Sequence, residues 1–129
     1  MNIIATVLLI AGLWSFGDTI YLNWKTRKYP RFDSIIEQRL YWALRNRGYK
    51  PKTQTRCGPF RIDLTIGNIA IECDGKDFHS SPAQQNYDRR RTAYLYRHGY
   101  KSVLRFTGSQ INRNADECVS KISKKLRRG

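Results

Sequence analysis

The sequence predicts an α/β protein built on a mixed sheet of about four strands flanked by helices. Two apolar, β-branched segments, residues 60–66 and 69–73, are separated by Gly67–Asn68, a pair typical of a two-residue hairpin turn. Before and after this hairpin, apolar residues repeat with the period of a helix. The chain has 129 residues, which suits one domain with a core of its own. The expected order of elements is α-β-β-β-α-β-α.

The first predicted helix begins after Ser34, a favourable N-cap residue, and Gly48 closes it. Residues 52–56 form a candidate edge strand that leads into the hairpin. The apolar positions that repeat with a helical period in the first helix are Ile36, Leu40, Ala43 and Leu44.

The second half of the chain predicts helix, strand and helix. Residues 80–86 form a loop and a helix start, and a basic helix runs from Tyr87 to His98 and ends at Gly99. Residues 102–106 form the fourth strand. Asn114 is predicted to cap the last helix, whose apolar face contains Cys118, Val119, Ile122 and Leu126.

The N-terminal segment is apolar, and two interpretations of it stay open. Residues 3–24 have roughly the length of a membrane anchor, with the cations that follow held on the cytoplasmic side. Asp18 would be costly inside the hydrocarbon, which favours a helix packed on the domain or on a partner. Pro30 lies in a linker, so we divide the chain into residues 1–32 and a domain of residues 33–129. We expect a cytoplasmic protein, either free or anchored to the cytoplasmic face of a membrane.

The composition is strongly basic, with 24 lysines and arginines against 10 acids and a formal net charge of +14. Such a positive field favours nucleic acid or an anionic membrane surface as a partner. The three cysteines form no CxxC pair, which argues against a structural zinc site. We expect reduced thiols and no small-molecule cofactor.

The hairpin turn predicts a register in which the numbers of opposed residues sum to 135. One face then carries three apolar pairs, and the other carries charged pairs. Like charges directly opposite each other are destabilising. A divalent cation, a shared proton or a neighbouring cation such as Arg61 or Lys76 would offset the repulsion. The apolar pairs are Ile66–Ile69, Leu64–Ile71 and Ile62–Cys73, and the charged pairs are Asp63–Glu72 and Arg61–Asp74.

Metal-binding acids within a basic chain are typical of phosphodiester cleavage. A metal ion polarises the phosphate and activates water, while cations hold the neighbouring phosphates. The segments "IEQRLYWALRNRGYK", "FRIDLTI", "IAIECDGKDFH" and "YDRRRTAYLYRHGYKSVLRF" resemble the PD-(D/E)XK nuclease superfamily. They are most similar to its branch of very-short-patch-repair-like endonucleases, which includes the DUF559 proteins and related homing endonucleases. The resemblance covers roughly residues 34–126 and implies a restriction-endonuclease-like core.

The resemblance also implies a metal-dependent DNA endonuclease that uses Mg²⁺ or Mn²⁺. Asp63 resembles the central metal-binding aspartate, and Glu72 resembles the second acid of the motif. The backbone carbonyl of Cys73 and the carboxylate of Asp74 are further metal-ligand candidates. Asp74 stands where many members carry a lysine, and Lys76, two residues later, is the candidate that replaces it.

Three further residues resemble catalytic groups of the repair-type branch. His79 resembles its general base or acid, Asp88 the acid that orients this histidine, and Glu37 the acid on the first helix. Each also has a simpler interpretation. His79 fits an ordinary surface histidine, Ser34 and Glu37 fit a capping box, and Asp88 suits a helix N-terminus. The nucleic-acid-binding candidates are Arg61, Lys76, Phe78, Arg89, Arg90, Arg91 and Arg105.

Two other function classes remain open from the sequence. The domain could bind nucleic acid without cleaving it, or the apolar N-terminal segment could make the protein a membrane-anchored or assembly component. One active site in a chain of this size nicks DNA unless the chain forms a homodimer, and the sequence leaves that choice open.

Overall fold

A computed structural model describes residues 30–75 and 81–128 of the chain. Its elements follow the predicted order α-β-β-β-α-β-α. Residues 31–129 belong to one compact unit. The elements are α1 (Ile35–Asn46), β1 (Lys52–Cys57), β2 (Phe60–Ile66), β3 (Ile69–Asp74), α2 (Pro82–Arg97), β4 (Ser102–Thr107) and α3 (Gly108–Arg128).

Several predictions concern residues outside the described ranges. The apolar N-terminal helix is one of them, and the candidates Lys76, Phe78 and His79 are the others. Within residues 30–75 and 81–128, no helix is both long and apolar enough to cross a membrane.

The four strands form one mixed sheet in the order β1-β2-β3-β4. Strands β1, β2 and β3 pair with one another in antiparallel fashion, and β4 lies parallel to β3 because α2 carries the chain across between them. Helices α1 and α3 pack together over one face of the sheet, around a large apolar core. Helix α2 covers the other face through Leu95 and a smaller core. The predicted α/β architecture is confirmed.

Helix α1 begins as its sequence predicts. The Ser34 hydroxyl accepts a hydrogen bond from the Glu37 backbone N–H at 3.2 Å, which satisfies a donor that the first turn leaves without a partner. Leu40 and Leu44 are fully buried against the sheet and α3. Gly48 follows the helix with a φ of 85°, a conformation that glycine adopts without strain.

The β2–β3 hairpin confirms the predicted register in part. Its ladder pairs Leu64 with Ile71, Thr65 with Ala70 and Ile66 with Ile69. Ile62, however, packs with Ala70 and Leu95 on the α2 face, whereas Leu64 and Cys73 pack on the other face. The predicted apolar pair Ile62–Cys73 is therefore wrong.

The reason is a break in the alternation of β2 between Asp63 and Leu64. On strand β1, Thr53 pairs with Leu64 and Thr55 pairs with Ile62, which leaves Gln54 opposite Asp63. Gln54 has a φ of 51°, the left-handed region, and this local distortion turns two consecutive side chains of β2 toward α1.

Of the two later helices, one begins where predicted and one begins earlier. In α2, Ser81 accepts a hydrogen bond from the Gln84 N–H at 3.3 Å, and the helix begins at Pro82, within the predicted helix start of residues 80–86. Helix α3 begins at Gly108 and is interrupted at Asn114, whose φ and ψ are −159° and 88°. The Asn114 side chain accepts from the Glu117 N–H at 3.1 Å and caps the second segment, as predicted.

Candidate active site

Two acids, Glu37 of α1 and Asp63 of β2, lie at the break in β2. Glu37 is only 4% exposed, and its Oε1 accepts a hydrogen bond from the Ser34 hydroxyl at 3.0 Å. Its Oε2 accepts from the Asp33 N–H at 3.0 Å and from Gln54 Nε2 at 2.7 Å. These donors fix the carboxylate, so the capping role and a site role coexist in one side chain.

Asp63 is aimed at the end of β3. Its Oδ2 accepts a hydrogen bond from the Cys73 backbone N–H at 2.8 Å. The pKa of the Asp63 carboxyl is raised from 3.8 to about 6, chiefly by burial. The Cys73 hydrogen bond opposes this rise, and the charges of Glu37 and Glu72 add to it. Asp63 and Glu37 are thus acids that repel each other in a partly desolvated place, where a cation or a proton is favoured.

Gln54 is a functional candidate that the sequence analysis missed. A non-glycine residue in the left-handed region costs roughly 1–3 kcal/mol. Its side-chain Oε1 is buried and has no hydrogen-bond partner in the described part of the chain. The β1–β2 hairpin turns at Gly58–Pro59, and its register places Gln54 opposite Asp63. Predicting the register of this hairpin, as well as that of the β2–β3 hairpin, would have identified Gln54.

Glu72 occupies a different environment from the one predicted. It is 4% exposed and lies on the α2 face, where it forms ion pairs with Arg91 at 2.7 Å and Arg105 at 3.2 Å. Arg105 also pairs with Asp88 at 3.0 Å. Burial raises the pKa of Glu72, and the two guanidinium groups oppose that rise. The β2–β3 ladder ends at Leu64, one residue before the predicted Asp63–Glu72 pair.

The predicted metal ligands therefore do not form one cluster. In the described ranges, no group of three or more His, Cys, Asp or Glu side chains is arranged to hold a metal ion. Burial raises the pKa of the Cys73 thiol, which keeps that side chain neutral. Asp74 is exposed at the end of β3, where it pairs with Thr107 of the parallel strand β4.

The predicted nucleic-acid-binding arginines Arg61, Arg89 and Arg90 lie in two different environments. Arg89 and Arg90 are exposed on α2, which fits either a solvated face or phosphate contacts. Arg61 forms an ion pair with Asp33, and its carbonyl accepts from Arg91 at 2.6 Å. The β2–β3 ladder ends at Leu64, before the predicted register pair Arg61–Asp74.

A polar groove with a volume of about 410 Å³ opens beside Asp63. A second groove of about 390 Å³ lies along α2 beside Asp88. We call them the Asp63 groove and the Asp88 groove. The Asp63 groove is lined by Arg56, Pro59, Phe60, Arg61, Asp63, Tyr87 and Arg91. The Asp88 groove is lined by Asp88, Arg89, Thr92, Ala93, Tyr96 and Arg105.

Comparison with known proteins agrees with this fold. The catalytic domain of the homing endonuclease I-Bth0305I has a similar structure, with a TM-score of 0.53 and 21% identity over 74% of this chain and 92% of that domain. At this identity the similarity shows the fold. No match is found among curated proteins. The family model REase_MTES_1575, which describes restriction-endonuclease-like proteins, matches residues 36–126, from the first turn of α1 to the last turn of α3. The chain therefore belongs to the REase_MTES_1575 family.

Proposed function

We propose that this protein is a metal-dependent DNA endonuclease whose site is built on Glu37 and Asp63. One observation carries the proposal: two acids that repel each other lie beside a groove lined by three arginines. The arginines suit a phosphate backbone, and the acids suit a cation that bridges to it. The family and the fold that the protein shares with a homing endonuclease domain support strand cleavage.

The residues present fit Mg²⁺ or Mn²⁺. Magnesium is usually held by one or two carboxylates together with waters and substrate phosphates. Asp63 and Glu37 would supply the carboxylates, and the Cys73 carbonyl and Gln54 Oε1 are neutral oxygens at the same edge. A cation there would relieve the repulsion between the acids and give the buried Gln54 oxygen a partner. The remaining positions would be left to water and to the scissile phosphate.

The bound ion would polarise the phosphate and lower the pKa of a water molecule. The protein itself holds the two carboxylates in fixed positions. Glu37 is fixed by three donors and Asp63 by the Cys73 N–H, so neither carboxylate needs to reorganise during the reaction. Arg56, which lines the groove and forms no ion pair in the described ranges, would hold the substrate strand.

His79 remains the proposed proton donor or acceptor, and Asp88 its orienting acid. The Asp88 carboxylate accepts from Arg105 at 3.0 Å and from Gln84 Nε2 at 3.1 Å, which fixes its position. We assign Glu72 a different role from the predicted one: it neutralises Arg91 and Arg105 and so anchors both arginines at the sheet.

The test is cleavage of supercoiled plasmid in Mg²⁺ by the full chain and by Asp63→Asn. Asparagine keeps the shape of the side chain and an acceptor for the Cys73 N–H, but it removes the charge. We expect the rate to fall by at least about 100-fold, and EDTA to abolish it. The control is Asp116→Asn, since the Asp116 side chain is 70% exposed on α3.

Equal cleavage by wild type and Asp63→Asn would contradict the site. Tight DNA binding without cleavage in any divalent metal would favour the non-catalytic nucleic-acid-binding module. The product separates the two modes of cutting, because a monomeric nickase gives open-circular plasmid and a paired enzyme gives linear plasmid.

A further inference from the structure

We propose that the Asp63 groove binds an unpaired nucleotide, with its phosphate at Arg56 and Arg61 and its base stacked on Tyr87. The inference builds on the proposed nuclease function and names its substrate class: DNA with a single-stranded or extruded nucleotide at the cut. Three observations carry it: a pair of like charges, an exposed and oriented aromatic ring, and the size of the groove.

Arg56 and Arg61 are direct partners in the β1–β2 ladder, and both line the groove. Like charges directly opposite each other in a ladder destabilise a sheet. Arg61 has one acidic partner, Asp33, whereas the Arg56 side chain forms no ion pair with any residue in the described ranges. A phosphate between the two guanidinium groups would convert this repulsion into two charge-assisted contacts.

Tyr87 lies on the same groove, and its residue is 51% exposed. Its ring meets the ring of Phe60 edge-to-face, with centroids 5.9 Å apart and an interplanar angle of 71°. Phe60 is supported in turn by Tyr94, with centroids 5.3 Å apart. The edge contact orients the tyrosine ring and leaves much of it open to solvent. Proteins that bind single strands place such rings beside a positive groove, and bases stack on them.

An unpaired nucleotide fits this arrangement better than a duplex does. A base inside a duplex is covered on both faces by its neighbours, so only an unpaired base can present its face to Tyr87. The groove volume of about 410 Å³ is in the range of sites that hold one small ligand. A duplex would have to lie across the opening.

The Asp88 groove provides an internal comparison. Tyr96 lines it and is also 51% exposed on α2. Two arginines also line it: Arg105 is neutralised by Glu72 and Asp88, and Arg89 is exposed on α2. They lie on different elements and are not ladder partners, so that groove has an aromatic ring of equal exposure but lacks the directly opposed arginines that form the phosphate half of the site.

The experiment measures binding of fluorescent oligonucleotides to the full chain in EDTA, so that no strand is cut. The probes are a paired duplex and the same duplex with a short loop of unpaired thymidines. We expect wild type to prefer the looped probe. Tyr87→Ala should weaken looped-probe binding by about 5- to 150-fold, because stacking on one base is removed, and should leave duplex binding almost unchanged. Tyr87→Phe should stay within about twofold of wild type, and Tyr96→Ala should bind like wild type.

Arg56→Gln tests the phosphate half. It should weaken binding of both probes and lower the slope of log affinity against log salt by about one. An unchanged slope would overturn the phosphate assignment. Equal affinity of wild type for the two probes, or an equal loss by Tyr87→Ala on both, would overturn the nucleotide site. These results are independent of cleavage: if Asp63→Asn is inactive while Tyr87→Ala binds normally, the nuclease proposal stands and this inference falls.

Discussion

Neutralising Asp63 should stabilise the metal-free protein at neutral pH. Its folded-state pKa is about 6, against 3.8 for an ordinary aspartate, so the folded chain binds this proton more tightly than the unfolded chain. The favourable contribution is fully present below pH 3.8 and is lost as the pH rises to about 6. A rise of this size corresponds to about 3 kcal/mol, which is the cost of keeping the charge in the folded site.

The variant to compare is Asp63→Asn, which cannot ionise. Urea unfolding of both proteins in EDTA, followed by circular dichroism, gives their free energies of unfolding at each pH. The stability of Asp63→Asn relative to wild type should increase by about 3 kcal/mol from below pH 3.8 to above about pH 6, then level off. Asp116→Asn removes an exposed charge and should change stability little at any pH.

The metal provides the second arm of this experiment. At about pH 7.5, Mn²⁺ at 100 times its dissociation constant should stabilise wild type by about 2.7 kcal/mol, and Asp63→Asn should gain much less. A difference between the two proteins that does not vary with pH would contradict the burial and repulsion assigned to Asp63. Equal stabilisation by Mn²⁺ would contradict its role as a metal ligand.

Three further predictions concern Gly58, Glu72 and Gln54, with Gly67→Ala as the comparison for Gly58→Ala. Gly58→Ala should destabilise by at least about 3 kcal/mol in urea unfolding, because its Cβ would lie 2.1 Å from the Tyr94 hydroxyl and its φ is 57°. Gly67→Ala, with φ of 54° and open space, should cost only about 1–2 kcal/mol. Glu72→Gln removes the charged partner of two arginines but also the cost of the buried charge that raises the Glu72 pKa, so its free energy of unfolding at neutral pH should stay within about 1 kcal/mol of wild type, while cleavage stays metal-dependent. Gln54→Gly should relieve the strain of the left-handed backbone but lose the hydrogen bond to Glu37, so the free energy of unfolding should change by less than about 1 kcal/mol. The Mg²⁺ concentration that plasmid cleavage requires should rise at least about 10-fold, because Glu37 loses a donor that orients it.

The sequence predicts most of the fold because the residues that begin helices, end helices and form turns act locally. Ser34, Gly48 and the Gly67–Asn68 turn each act within a few residues, and together they determine helix limits and hairpin register. The break at Asp63 could not be predicted in this way. It depends on the conformation of Gln54 in the neighbouring strand, so a strict period of two assigns Ile62 to the wrong face.

For the candidate site, too, the sequence predicts individual residues but not the contacts between residues distant in the chain. The sequence marks Glu37 in the first turn of α1 and Asp63 within β2 as candidate acids, and the structure brings them to one place. Glu72 has the right chemistry for a metal ligand, but Arg91 of α2 and Arg105 of β4 surround it. Those partners are distant in the sequence, so a pairing rule confined to one hairpin cannot find them.

The most direct test of the central claim is a crystal structure of the protein soaked in Mn²⁺, measured by anomalous scattering. We expect a peak between the carboxylates of Asp63 and Glu37, next to the end of β3, and we expect Asp63→Asn to lack it. An anomalous peak bound at Glu72, or no peak beside Asp63 in crystals that carry Mn²⁺ elsewhere, would contradict the claim that these two acids hold the catalytic metal.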